Sequence, residues 1–281
     1  MKYSRPETLS QYFDSWSTWN ASKVALLAGG TDLIPKYEKG HALPEHLIDI
    51  KAIPELQGIV DGENSIEIGS MTTIESLKRS AMIRRYFPAL AMAADSFAGA
   101  QIRNRATLGG NIANASPAGD TLTPLYAYDT MVRITGRDSD RTVPLSDIVR
   151  GPGEVNLRPG QLLQTVILPK SGRSSFFYKL GLRRAMAIAV VNFAVVYSIA
   201  DHHYTDLVIT AGAVAPRVVY LSSLTGAILD DGLPRREYMA LVDADISPID
   251  DIRASAEYRR MALKNLVDHY LRHLLERGHG R

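Results

Sequence analysis

The sequence predicts an α+β protein in two parts. Residues 1–170 form the first, with subdomains near 1–55 and 56–170, and residues 171–281 form a three-stranded antiparallel sheet packed with helices. Three observations lead there. Short strand and helix patterns alternate up to residue 168. After Lys170-Ser-Gly-Arg173 the strands lengthen and become β-branched, and the chain closes on a long stretch with apolar residues at helical spacing.

In chain order, residues 7–16 read as a helix and 25–27 and 47–50 as short buried strands. Strands follow at 58–60, 65–69, 131–135 and 162–168, with helices near 73–80, 88–101 and 121–127. Their turns are marked by Asp61-Gly62, Gly136-Arg137-Asp138 and Gly151-Pro152-Gly153, where glycine permits positive φ and proline fixes it. Strands at 175–180, 190–200 and 205–214 come next, joined by turns at 181–186 and 201–204. The helix at 256–276 carries Tyr258, Met261, Ala262, Leu266, Val267, Tyr270, Leu271, Leu274 and Leu275 as one wide apolar stripe, expected to lie on the sheet.

Composition excludes several function classes. The chain has 281 residues, 46% hydrophobic, and its 32 basic and 30 acidic residues are spread evenly, so no stripe for nucleic acid or a membrane surface stands out. The longest apolar run, 185–196, is interrupted by Asn192 and too short to span a bilayer, and the first residues lack a signal-type apolar core. The chain is expected to be cytoplasmic. It has no cysteine, which removes disulfides, thiolate zinc sites, cysteine nucleophiles and self-ligated iron–sulfur clusters together. The seven histidines, among them His202, His203, His269, His273 and His279, show no ligand spacing with carboxylates. No metal site and no side-chain catalytic constellation is expected.

Two glycine loops carry the chemistry. The first, Leu27-Ala28-Gly29-Gly30-Thr31-Asp32-Leu33-Ile34, runs from a short apolar strand into a Gly-Gly turn and a helix start. Thr31 or Asp32 suits the helix cap, Pro35 its first turn and Gly40 its end. Such a turn leaves main-chain N–H groups open at a positive helix end, where phosphate binds, and its glycines admit close approach. It is neither a Rossmann fingerprint nor a Walker loop. A plain capped turn remains the alternative.

The second loop runs from Gln101 to Asp120 and sets Arg103, Asn104, Arg105, Thr107, Asn111, Asn114, Ser116 and Asp120 around Leu108-Gly109-Gly110. Burying so many polar groups without partners is costly, so they face a polar ligand or one another. A dinucleotide supplies partners: pyrophosphate accepts from backbone, Thr and Asn donors, and Asp120 accepts from sugar hydroxyls.

At these loops the sequence resembles the FAD-binding domain of the xanthine dehydrogenase and carbon monoxide dehydrogenase family, the medium subunit of molybdenum hydroxylases. The likeness extends over nearly the whole chain and is closest at Gln101-Ile-Arg-Asn and Leu108-Gly-Gly-Asn-Ile-Ala-Asn-Ala-Ser-Pro-Ala-Gly-Asp120. It implies a two-subdomain FAD-binding fold of the PCMH/MurB-like type. In it, residues 27–34 wrap the pyrophosphate and ribityl chain, Thr107, Leu108, Gly109, Gly110 and Asn111 approach from the other side, and Asp120 holds sugar hydroxyls. Phe97 matches an aromatic contact to the adenine end, or is a core residue on the helical face of Leu90 and Ala94. Leu163 matches the leucine beside the isoalloxazine, or is plain core. Lys179 matches a lysine near the flavin, where it would stabilise negative charge on the reduced ring, or is a surface residue of an edge strand.

The resemblance also implies partners: a molybdopterin-binding large subunit and a small subunit with two iron–sulfur clusters, with electrons passing through FAD to NAD or another acceptor. The absence of cysteine fits that division. The stretch Arg183-Arg184-Ala185-Met186-Ala187-Ile188-Ala189 departs from the acidic stretch of nicotinamide-using relatives, which leaves the acceptor open. Two other readings are a self-contained FAD-dependent oxidoreductase and a flavin-free scaffolding subunit of the same fold.

Overall fold

The computed structural model describes residues 1–16, 23–183, 186–230 and 235–277. They divide into two compact units. Unit 1 holds Met1–Arg79, Gly99–Ala115 and Asp129–Lys170, and unit 2 holds Ser80–Ala98, Ser116–Tyr128 and Ser171–Arg281. The boundary near 171 is therefore not a clean cut in space, because two segments of the N-terminal region fold into unit 2.

Unit 1 contains a parallel sheet of β1 (Lys2–Ser4), β2 (Val24–Leu27) and β3 (His46–Asp49), in the order β1-β3-β2. The helix Leu9–Trp16 buries Tyr12 completely among Ile48, Ile50, Ile53, Leu56 and Leu162. Each fully buried aliphatic side chain there contributes about 1.5–3 kcal/mol. An antiparallel sheet follows, built from β4 (Ile59–Asp61), β5 (Ser65–Gly69), β6 (Met131–Thr135), β7 (Asp140–Pro144) and β10 (Leu162–Pro169), in the order β4-β5-β10-β6-β7. A small hairpin, β8 (Val149–Gly151) and β9 (Glu154–Val155), turns at the glycines and proline singled out above. β1 and β7 escape the sequence reading because neither carries an apolar run: Ser4 is the half-buried residue of β1, and Arg141 and Val143 are those of β7.

Unit 2 is organised on β11 (Ser174–Gly181), β12 (Ala189–Ala200), β13 (His203–Gly212) and the short β14 (Val219–Tyr220), antiparallel and in that order. The three strands read from the sequence are present, and the two residues of β14 extend the sheet. Asp201 and His202 both have positive φ, 47° and 67°, so β12 and β13 meet in a two-residue turn whose twist matches the strands. The helix Pro88–Ser96 packs on β11, and Leu122–Ala127 lies on β12 and β13. That burial is why both belong to unit 2.

Two expectations need correction. The helix expected over 88–101 stops at Ser96: Phe97 is extended, Ala98 has φ 34°, and a single turn resumes at Ala100–Arg103. Phe97 therefore leaves the face of Leu90 and Ala94. The last helix, Ala256–Arg277, does lay Leu263, Val267, Leu271 and Leu274 on the sheet, but Tyr258 and Met261 are 45% and 52% exposed. Arg259 takes the inner position of its first turn instead. It is 2% exposed and donates to the carbonyls of Val190 and Ala213 and to Asp251. The side chain of Leu275, together with Arg184, Ala185 and His279, lies outside the described residues.

Candidate cofactor site

The first glycine loop leaves the C-terminal end of β2, where Leu27 pairs with Asp49 of β3. Loops at the carboxyl ends of parallel strands are the usual place for ligands in such sheets. Gly30 has φ 76°, which turns the chain into the helix Leu33–Glu38, and Gly40, φ 89°, follows its end. Asp32 sits at the cap position, yet its side chain makes no capping bond, contrary to the expectation from sequence, since its own backbone is helical rather than extended. The turn is held by Ile34 N–H donating to Gly30 O (3.0 Å) and Lys36 N–H to Asp32 O (3.2 Å). Among the described residues, the N–H groups of Gly29, Gly30, Thr31 and Asp32 donate to no protein acceptor. Leu33 is half-buried and Ile34 is 41% exposed.

In the second loop the amides of residues 108–111 are bonded within unit 1. Leu108 N–H donates to Thr72 O (3.0 Å), Gly109 N–H to Ser70 O (2.8 Å), and Asn111 N–H to Thr107 O (2.9 Å). Thr107 caps the helix Leu108–Asn114 by accepting from Gly110 N–H at 3.0 Å. Its glycines serve packing: a Cβ on Gly109 would stand 2.5 Å from Ser70 Cβ, and one on Gly110 2.8 Å from Thr107 Oγ1. A Cβ on Gly29 would overlap the carbonyl of Arg105. Glycine thus lets the two loops of unit 1 touch backbone to backbone, where the sequence suggested only room for a ligand.

In unit 2, Lys179 of β11 and Asn192 of β12 are cross-strand partners, and Gly212 of β13 is the next in the row. Lys179 Nζ donates to Asp120 Oδ2 (2.5 Å) and to Ser96 O (3.2 Å). Both side chains are 8% exposed, so the lysine is not a surface residue. Asn192 Oδ1 accepts from Thr123 Oγ1 at 2.7 Å, and a Cβ on Gly212 would overlap that oxygen. Asp120 Oδ1 has no hydrogen-bond partner. Burial pushes its carboxyl up to about 6, against the opposing pull of the Lys179 charge and the nearby Asn192 amide.

Leu163 is 7% exposed on β10, beside a bulge between Leu163 and Thr165, and Phe97 is half-buried at the helix break. The structure therefore gathers residues 27–34 with 107–111 in unit 1, and Asp120 with Lys179 in unit 2. No motif marks Asn192; its signal in the sequence is an amide within the apolar run Val190-Val191-Asn192-Phe193, a sign of a buried polar contact. Among the described residues no cluster of His, Asp and Glu could hold a metal, and no helix is long and apolar enough to cross a membrane. The open donors at 29–32 fit the pyrophosphate of a dinucleotide.

A strand–glycine loop–helix cradle with open amides is of the kind that holds a phosphate-bearing cofactor. Residues 1–171 match the family model for the FAD-binding domain in molybdopterin dehydrogenase, and residues 176–274 match that for the carbon monoxide dehydrogenase flavoprotein C-terminal domain. The chain is 31% identical over 252 residues to the xanthine dehydrogenase FAD-binding subunit of Escherichia coli O157:H7, covering 87% of this chain and 86% of that one. It is 30% identical to the carbon monoxide dehydrogenase medium chain of Hydrogenophaga pseudoflava, over 88% and 87% of the two chains. The solved carbon monoxide dehydrogenase of that organism, which lacks the Mo-pyranopterin moiety of its molybdenum cofactor, superposes with a TM-score of 0.89 at 28% identity, over 96% and 95%. The chain belongs to the FAD-binding medium subunits of the xanthine dehydrogenase and carbon monoxide dehydrogenase family of molybdenum hydroxylases, and so is an oxidoreductase subunit.

Proposed function

We propose that this chain is the electron relay of a heterotrimer. Electrons reach it from two iron–sulfur clusters on a small partner, which draws them from a molybdopterin-binding large subunit, and leave to NAD or another acceptor. The names of the relatives as subunits and medium chains support the assembly. NAD as acceptor and a cytoplasmic location rest on the family resemblance. When bound, FAD supplies the redox chemistry, and the chain supplies placement and electrostatics.

The observation that carries the reading is the set of open amides at Gly29, Gly30, Thr31 and Asp32. In this reading they hold the pyrophosphate, residues 27–34 follow the ribityl chain, and Thr107, Leu108, Gly109, Gly110 and Asn111 act mainly by fixing the shape of the first loop. Asp120 and Phe97 keep the sugar-hydroxyl and adenine roles, and Leu163 and Lys179 the flavin roles. The test is reconstitution of the apo chain with FAD and purification alongside the partner subunits of its own host. Flavin absorbance together with molybdenum and iron–sulfur subunits supports the relay. A chain without flavin refutes it, and so does one active alone on a small-molecule donor.

A further inference from the structure

The FAD reading leaves a charge unbalanced. A pyrophosphate is doubly anionic, yet residues 27–34 contain no Lys or Arg and include Asp32. The helix Leu33–Glu38 has only six residues, too few for an appreciable dipole. A cation that complements it would come from outside residues 27–34.

Lys51 is placed for it. It lies two residues beyond Asp49, the partner of Leu27 at the carboxyl end of the parallel sheet. Its ammonium contacts Asp49 Oδ2 at 2.9 Å and donates to the carbonyl of Ala28, directly before the open amides, at 3.4 Å. Asp49 is itself fixed: Tyr3 Oη–H donates to Oδ2 at 2.8 Å and Lys51 N–H to Oδ1 at 3.0 Å. The Asp49 side chain is 7% exposed and that of Lys51 30%, so a buried carboxylate holds a partly open ammonium against the loop. With two of its three N–H groups engaged, one remains for a phosphate oxygen. Lys36, by comparison, is exposed and, among the described residues, reaches Asn114.

Resting on the FAD reading, we propose that Lys51 is a cofactor-binding residue, the cation of this phosphate loop, with Asp49 and Tyr3 as the residues that position it. A different role would give the same contacts: Lys51 could exist only to cancel the charge of Asp49. The two are separable.

FAD is titrated into the full-length apo chain and followed by flavin fluorescence, with a circular dichroism melt on each variant. Lys51→Met should weaken binding by about tenfold or more and flatten its salt dependence, and Lys51→Arg should recover most of the loss. The double variant Asp49→Asn/Lys51→Met removes both charges, so it keeps the test alive if the single variant does not fold. It should bind as weakly as Lys51→Met. Wild-type affinity in the double variant overturns the proposal in favour of mere charge cancellation, and wild-type affinity in Lys51→Met overturns it outright. A wild-type chain that takes up no FAD strikes the FAD reading itself, and the proposal falls with it.

Discussion

The loop at 27–34 and the segment from Thr107 to Asp120 look alike in sequence, each a glycine pair among polar residues, but their hydrogen bonds are arranged oppositely. In the first, four successive amides have no acceptor among the described residues and the cap position makes no side-chain bond. In the second, the amides go to Ser70, Thr72 and Thr107, and the carboxyl of Asp120 goes to Lys179. A glycine pair therefore has two meanings. It either exposes main chain to a ligand or lets one strand of backbone lie on another, and only the accounting of donors tells which.

The sharpest way to break this contrast is Gly29→Ala. The added carbon meets the Arg105 carbonyl, which as backbone cannot step aside, so stability should fall by about 3 kcal/mol in urea unfolding and FAD uptake should be lost. Next in size is the pH dependence of Asp120. Its folded carboxyl keeps its proton to about pH 6, whereas an unfolded one loses it near pH ~3.9. Between these values the unfolded state binds fewer protons, so stability is full below the lower value and declines as pH rises to 6, by up to about 3 kcal/mol. Asp120→Asn should remove that slope in denaturant titrations at pH 4.5 and 6.5; an unchanged slope assigns it to other groups. Thr107→Ala, which uncaps the helix Leu108–Asn114, should cost about 1 kcal/mol. Thr31→Ala should change stability by less than about 0.5 kcal/mol, as that side chain caps nothing.

Much of this arrangement was legible in the sequence. Gly-Gly after a short apolar strand located the first loop, alternation located β5, β6 and β10, and Asp201-His202 fell inside the expected turn. What escaped depends on partners distant in the chain. No local pattern says that Pro88–Ser96 is buried on β11, that Arg259 displaces the apolar stripe by reaching two carbonyls, or that Lys51 leans on Ala28. The break at Phe97 was hidden because alanines on both sides favour helix, while the chain turns at Ala98 through positive φ.

The most direct test of the account is residue-resolved amide hydrogen exchange with and without FAD. Gly29, Gly30, Thr31 and Asp32 should gain protection when FAD binds, while Leu108, Gly109, Gly110 and Asn111, already bonded within the protein, should change little. Protection confined to the second loop, or exchange at 29–32 that is indifferent to bound FAD, would contradict it.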